Sequence, residues 1–219
     1  RKTARFDSHT VVPELLGKGH IVVAEQQYLF AHFGNGQSQT SNWFEDICKH
    51  PNLLLCTSSE DARNLLVKVA CNVHDSKWTT LAITGTNGKT STTQITGYLL
   101  EELSQSQVMR LGTLGIQVGH HVWDNPFPTM PDCPGLMAAL RSAQNDFQCT
   151  QLVMEATSIG IVENRLADWP VQCAAFLNLT QDHLDYHGTM EAYLQAKLDL
   201  FRNHLLPHGH AVINCDDPH

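Results

Sequence analysis

Residues 84–91 read Thr-Gly-Thr-Asn-Gly-Lys-Thr-Ser. Gly85, Gly88, Lys89 and Thr90 fit G-x-x-G-K-T, a compact relative of the phosphate-loop pattern G-x-x-x-x-G-K-[ST]. Glycines let backbone N–H groups turn toward phosphate oxygens, and the helix that follows adds the positive end of its dipole. Lys89 in such a loop neutralises the outer phosphates of a nucleotide, and the Thr90 hydroxyl sits on Mg2+. A plain strand-to-helix turn is the alternative. An apolar run before the loop and polar helix formers after it favour the phosphate site.

Three further positions carry chemistry. Glu155 ends the apolar run "QLVME", where a carboxylate is costly unless it is paired, caps a helix or binds a metal. The segment "NLTQDHLDYHG" concentrates Asp182, His183, Asp185 and His187. A neutral histidine there can ligate a metal, or simply close a loop. Lys197 lies on the line Tyr193–Lys197–Phe201, the apolar face of its helix. Either its stem packs while the ammonium escapes to water, or the amine is altered or paired.

The elements that position these residues alternate from residue 79 onward. "TTLAIT", "TQLVMEA", "QCAAFLNLT" and "HAVINCDD" read as strands. "KTSTTQITGYLLEEL", with Ile95, Tyr98, Leu99 and Leu103 at helical spacing, "GLMAALRSA" and "MEAYLQAKLDLFRNHL" read as helices. Strands that are apolar throughout and separated by helices imply an α/β fold with a mostly parallel sheet, covered on both faces. Several strands end in polar residues, which gathers Lys89, Thr90, Glu155, Asn178, Asp182 and His183 at one sheet edge, where open α/β sheets bind ligands. Residues 1–77 look like a separate, smaller unit. In it we read a short helix ending in Gly17, the strand "HIVVAE", a polar loop over 33–42, a second strand "NLLLCTS", and a helix over 58–74 with Leu65, Leu66 and Val69 on one face.

Bulk properties narrow the function. The chain has 219 residues and a formal charge of −8, with no basic stripe for a nucleic-acid backbone. Nothing is long and apolar enough to span a membrane. The start "RKTARFDSH" is basic but has no apolar block after it, so it does not read as a secretory signal, and it lacks Met. Seven cysteines show no C-x-x-C pair and sit in part inside apolar runs, which suits free thiols in a reducing compartment.

Taken together, "AITGTNGKTSTT", "MEATSIG…NRLAD" and "FLNLTQDHLDYHGTMEAYLQAKLDLF" resemble the Mur ligase family. Within it they are similar to the UDP-N-acetylmuramoyl-L-alanyl-D-glutamate ligases, which add the third peptide residue of peptidoglycan precursors. "RFDSHTVVPELLGKGHIVVAE" is similar to the end of that family's N-terminal uridine-nucleotide-binding domain. The resemblance implies a remnant of that domain over 1–77 and the first part of the central P-loop ATPase-type domain over 78–219. The C-terminal domain that selects the amino acid is expected to be missing, leaving a truncated sheet and a fragment inactive alone.

The resemblance also assigns roles. ATP phosphates would lie on Gly85, Thr86, Asn87, Gly88, Lys89, Thr90 and Ser91, with Asn178 also at the nucleotide. One Mg2+ would sit on Thr90 and Glu155. A second would sit on His183 and on Lys197, carbamylated by CO2. Thr129, Thr157, Ser158 and Arg165 match positions that contact the acceptor, UDP-MurNAc-L-Ala-D-Glu. The implied activity is ATP-dependent amide formation with L-lysine or meso-diaminopimelate through an acyl phosphate. A monomer of the bacterial cytoplasm is expected, with no nucleic-acid or membrane partner. Another ligase of the superfamily, or a homologue kept only for nucleotide binding, are the alternatives. Departures from the family pattern are Met130 and Ile159, which replace Thr and His, and Glu163, where a neutral Gln is frequent.

Overall fold

The structure is a computed structural model that describes residues 12–19, 22–25, 53–56, 71–123 and 129–218, with isolated positions between 49 and 67. The chain divides into two compact units, Arg1–Leu66 and Val67–His219.

In the first unit, Val12 and Leu16 stand one helical turn apart, and helix α1 (Val12–Gly17) buries both. Strand β1 (Val22–Glu25) pairs in parallel with β2 (Leu53–Cys56), with Val22 opposite Leu53. Those two residues complete a small core with Val12 and Leu16. The short helix and both strands therefore form as the sequence suggests. The loop over 33–42 lies outside the described residues, as do Leu65 and Val69. Leu66 belongs to a helical stretch but is exposed, not on a buried face.

In the second unit, seven strands among the described residues form one sheet. They are β3 (Thr79–Thr84), β4 (Val108–Gly112), β5 (Gly115–Val118), β6 (His121–Trp123), β7 (Gln151–Glu155), β8 (Val171–Phe176) and β9 (Leu205–Ile213). The order is β6-β5-β4-β7-β3-β8-β9. From β4 to β9 all neighbours run parallel, whereas β5 and β6 continue from β4 as an antiparallel meander. Successive side chains of a strand point to opposite faces, so a strand buried on both sides must be apolar throughout. Leu152, Val153 and Met154 of β7 are all fully buried. Leu152 and Met154 pack with Met109, Leu111 and the apolar face of helix α3 (Cys133–Phe147), including Leu136, Met137 and Leu140. On the other face Val153 joins Ile83 and Val108 against Leu100 of helix α2 (Lys89–Ser104). Asp132 starts α3 by accepting the Gly135 N–H at 3.0 Å.

Several features of this unit differ from the sequence reading. The strands β4 to β6 are an addition, because Arg110 interrupts the apolar run of β4. That arginine is nonetheless buried. Its guanidinium lies 4.1 Å from the Tyr98 ring centre, with Nη1 3.3 Å from Glu101 Oε2 and Nη2 donating to Gly119 O at 3.0 Å. Second, helix α2 forms, but Ile95, Tyr98, Leu99 and Leu103 are exposed. The buried helix positions are Thr93 and Gly97, because Arg110 occupies the space under Gly97. A Cβ at Gly97 would stand 2.5 Å from both Cγ and Cδ of Arg110.

Helix α6 (Met190–Asp199) follows a four-residue turn of helix, α5 (Leu184–His187), and runs into a π-helical turn, Leu200–His204. β9 then starts at Leu205, earlier than "HAVINCDD" suggests. No helix among the described residues is long and apolar enough to cross a membrane. Among the described residues, Cys71, Cys149, Cys173 and Cys215 are free thiols.

Alanine favours a helix over glycine by about 1 kcal/mol. Even so, Gly97→Ala is expected to lower the unfolding free energy by about 1–3 kcal/mol, because overpacking against a fixed side chain outweighs propensity. Urea denaturation reads the difference, and an increase in stability would contradict the close approach of α2 to Arg110.

Candidate functional site

The carboxyl ends of β4, β7, β3 and β8 lie side by side, and a cavity of about 310 Å3 opens there. The loop after β3 forms one wall, Thr86 to Thr90. Its two glycines have positive φ, 148° at Gly85 and 85° at Gly88, which side chains rarely tolerate. Gly85 also lies against the chain just past β8, where a Cβ would stand 3.0 Å from Leu177 Cβ. Gly88 caps α2 with no side-chain hydrogen bond, so the first N–H groups of that helix keep their positive end for an anion.

The chain leaving β8 holds the loop from behind. Asn87 N donates to Asn178 Oδ1 at 2.9 Å, and Asn178 Nδ2 returns a bond to Asn87 O at 3.1 Å. Thr86 N donates to Asn178 O at 3.0 Å, and Thr180 N donates to Thr86 Oγ1 at 2.9 Å. Asn178 thus shapes the loop without lining the cavity, and Gly85 likewise stands behind the lining. Ser91 is exposed and outside the cavity.

Two lysines meet at one carbonyl. Lys89 Nζ folds back to donate to Gly85 O at 2.9 Å and Thr86 O at 2.7 Å. Lys197 Nζ reaches the same Gly85 O, also at 2.9 Å, from α6. The Lys197 side chain does not snorkel: it is 1% exposed, with its amine 4.2 Å from the Tyr193 ring centre. Burial, and then the charge of Lys89, push its pKa down to about 7, against a pull from Asp182 in the other direction. Lys89 is also lowered, by burial first, with Glu155 and Asp182 opposing. A large share of neutral amine at Lys197 near pH 7 is the consequence.

Glu155 ends β7 with only 2% of its surface exposed. Its carboxylate accepts from three neutral donors: Thr90 Oγ1 at 3.0 Å, Thr113 N at 2.8 Å and Thr113 Oγ1 at 3.3 Å. A Cβ at Gly112 would collide with this carboxylate, standing 2.6 Å from Cδ, so glycine there makes the room. A buried carboxylate beside a threonine hydroxyl suits a hard cation such as Mg2+. Among the described residues no cluster of three or more His, Cys, Asp or Glu could hold a metal by itself. Mg2+ usually keeps waters and phosphate oxygens among its ligands.

The remaining wall joins several helix starts. His183 precedes α5 with φ 50°, its Nε2 3.6 Å from Asp182 Oδ2 and its ring edge-on to Tyr193. His187 Nε2 lies 2.9 Å from the buried Ser158 Oγ, at the start of helix α4 (Ser158–Val162). Burial, then the charges of His183 and Lys197, lower the His187 pKa, with Asp185 opposing. Thr157 caps α4 by accepting from Gly160 N at 3.1 Å. Thr129 stands 3.2 Å from Thr113 through their hydroxyls.

The sequence reading and the geometry differ at several residues. Arg165 does not line the cavity. Its Nε and Nη2 both hold Glu163 Oε2, at 2.9 and 2.6 Å, and its Nη1 donates to Met130 O at 2.6 Å. Met130, which replaces a hydroxyl, is 1% exposed and packs on Gly160, so it belongs to the core. Thr113 and Tyr193 were not singled out as site residues, yet both line the cavity. The polar residue just past a strand end would have flagged Thr113 once β4 had been recognised.

The family description "Mur ligase middle domain" matches residues 83–219. A UDP-N-acetylmuramoyl-L-alanyl-D-glutamate--2,6-diaminopimelate ligase of Janthinobacterium sp. (strain Marseille) is 45% identical over 142 residues, 63% of this chain and 27% of that protein. One of the same name from Syntrophomonas wolfei subsp. wolfei is 35% identical over 167 residues, 74% of this chain and 33% of that protein. The chain therefore spans about a third or less of these relatives. A solved structure of such a ligase overlays with a TM-score of 0.62 at 27% identity, covering 90% of this chain and 40% of that one. MurF from Acinetobacter baumannii shares the fold, with a TM-score of 0.51 at 21% identity over 99% of this chain and 39% of that one.

Lys197 titrates near 7 in the folded protein, against an ordinary value of 10.5. Between these values the unfolded chain binds the extra proton, so stability rises with pH across that window. Below about 7 the full cost of burying the ammonium is present; above 10.5 it is gone. Lys197→Met is expected to flatten the rise of Tm across this window, and an unchanged slope would contradict the lowered pKa.

Proposed function

The chain belongs to the Mur ligase family, and on that premise we propose that it is part of an ATP-dependent ligase of peptidoglycan precursor synthesis. It joins a diamino acid to UDP-MurNAc-L-Ala-D-Glu. The relatives named above as 2,6-diaminopimelate ligases support meso-diaminopimelate, with L-lysine as the other diamino acid of this class. Residues 1–77 are then the remainder of a uridine-nucleotide-binding domain, and 78–219 the first part of the central domain. The work is done in the cytoplasm by a monomer.

The observation that carries this reading is the convergence of Lys89, Thr90, Glu155 and Lys197 on one cavity at the sheet edge. A carboxylate is a poor electrophile until it is activated. ATP on the loop Gly85–Thr90 supplies the phosphoryl group, and the acceptor carboxylate takes it to form an acyl phosphate. The amine then displaces phosphate through a tetrahedral intermediate. The protein's contribution is positioning and charge. Loop N–H groups and Lys89 hold the phosphates, and Thr90 with Glu155 would hold one Mg2+. His183 and a carbamylated Lys197 would hold a second. Mg2+ offsets charge on the transferred phosphoryl group. Only a neutral amine adds to CO2, and the lowered pKa of Lys197 supports that modification. Thr129, Thr157 and Ser158 face the acceptor; Arg165 reaches it only on leaving Glu163.

The full-length gene product with ATP, Mg2+ and the UDP-linked dipeptide is expected to release phosphate when diaminopimelate or lysine is added. No release with any diamino acid would overturn the reading. Lys197→Ala is expected to lose about 100-fold or more in kcat, the scale of removing one electrostatic partner of the transition state. Short carboxylic acids should restore part of that loss. Full activity in Lys197→Ala would remove the carbamate from the mechanism.

A further inference from the structure

The acceptor wall of the cavity is made of hydroxyls, those of Thr129, Thr157 and Ser158, while its two lysines stand at the phosphate loop. A further cation, Arg165, is tied to this wall from outside. Its Nη1 donates to the carbonyl of Met130, the residue after Thr129, and its backbone N donates to Gly160 O in α4, the helix that Thr157 caps. The Nε–Nη2 edge of the same guanidinium gives both of its N–H groups to Glu163 Oε2, at 2.9 and 2.6 Å. We infer that Glu163 is a specificity-determining residue: it holds Arg165 with an internal carboxylate, so that the site takes the acceptor's unreacted carboxyl group about as readily in amide form as in charged form. The inference rests on the ligase reading above and adds to it the charge of the acceptor that the site selects.

The backbone sets up the pair. Helix α4 ends at Val162, and Asn164 takes φ 52°. A left-handed residue is a common way to end a helix, and here it returns the chain so that Arg165 N reaches Gly160 O at 2.9 Å. Glu163 and Arg165, two apart in sequence, thereby meet through their side chains. A guanidinium recognises a carboxylate best along an edge with two parallel N–H groups. Glu163 fills one such edge of Arg165. The acceptor ends in a glutamate, which has two carboxyl groups, and only one of them is activated. The other, arriving at Arg165 as an anion, either exchanges with Glu163 or joins a pair that is already neutral. In both cases Arg165 has no net charge to give it, so a carboxylate gains little over an amide. The pair is open to such exchange, because its side chains are 22% and 41% exposed, and ion pairs of that exposure are weak. Glutamine, frequent at this position in the family, keeps the shape and an oxygen for the guanidinium but leaves Arg165 a net cation.

The test uses the full-length enzyme as wild type, Glu163→Gln, Arg165→Gln and the double variant. Phosphate release with a diamino acid is followed for two acceptors, UDP-MurNAc-L-Ala-D-Glu and its isoglutamine counterpart, in which the carboxyl group that is not activated is an amide. Wild type is expected to show kcat/KM values for the two within about 3-fold of each other. Glu163→Gln is expected to lower the KM for the charged acceptor by about 3- to 5-fold, the scale of an exposed ion pair, and to move the KM for the amide much less. In the Arg165→Gln background the same substitution is expected to shift neither KM, because the cation it frees is gone. A wild-type preference for either acceptor beyond that range would overturn this inference alone. So would a Glu163→Gln effect that is absent, equal on both acceptors or kept without Arg165. No phosphate release by wild type with either acceptor would overturn the ligase reading and this inference together.

Discussion

The backbone carbonyl of Gly85 is the point on which the site depends. It accepts from Lys89, which belongs to the loop itself, and from Lys197, which arrives from a helix more than a hundred residues later in the chain. Two like-charged groups converge on one neutral oxygen inside a buried setting. That costs desolvation, which lowers the pKa of both lysines, and the charge of Lys89 lowers Lys197 further. The Tyr193 ring under Lys197 and the carbonyl oxygen offset part of it. Bringing the carbonyl to this position needs a glycine at φ 148° against Leu177, and the bonds from Asn178 and Thr180 that hold the loop in place. Loop, β8 and α6 are thus one mechanical unit.

Much of this was legible in the residues themselves. The glycine-lysine-threonine loop, the carboxylate at the end of an apolar strand and the lysine on an apolar helix face are local patterns, and the cavity gathers all three. What was not legible depends on partners remote in sequence. Arg110 hides a buried strand because its charge is satisfied by Tyr98, Glu101 and Gly119, none of which its own neighbourhood announces. Helix α2 turns its apolar stripe outward because the glycine that lets it approach the sheet lies on a different face. Arg165 has the right type for an anionic ligand, yet Glu163, two residues away, takes both ends of its fork. The sheet's antiparallel edge, β5 and β6, rests on short turns at Gly115 and Gly119 that carry little periodicity.

Charge is arranged locally. The chain carries a net −8, but the cavity collects two lysines, and its one fully buried carboxylate is held by neutral donors. Such a pocket favours a polyanion that brings its own divalent cation over either ion alone. On the proposed ligase reading, the loop and Lys89 would take phosphates, Glu155 and Thr90 a cation, and the threonine wall the acceptor whose carboxylate is activated.

Activation of that carboxylate is the central claim, and isotope transfer tests it directly. The acceptor's terminal carboxylate is labelled with heavy oxygen, and the phosphate released by the full-length enzyme is analysed by mass spectrometry. One labelled oxygen in each phosphate is the expected result, because the attacking carboxylate oxygen leaves with phosphorus when the amine displaces it. Phosphate free of label, formed at the same rate as the amide, would contradict an acyl phosphate in this cavity.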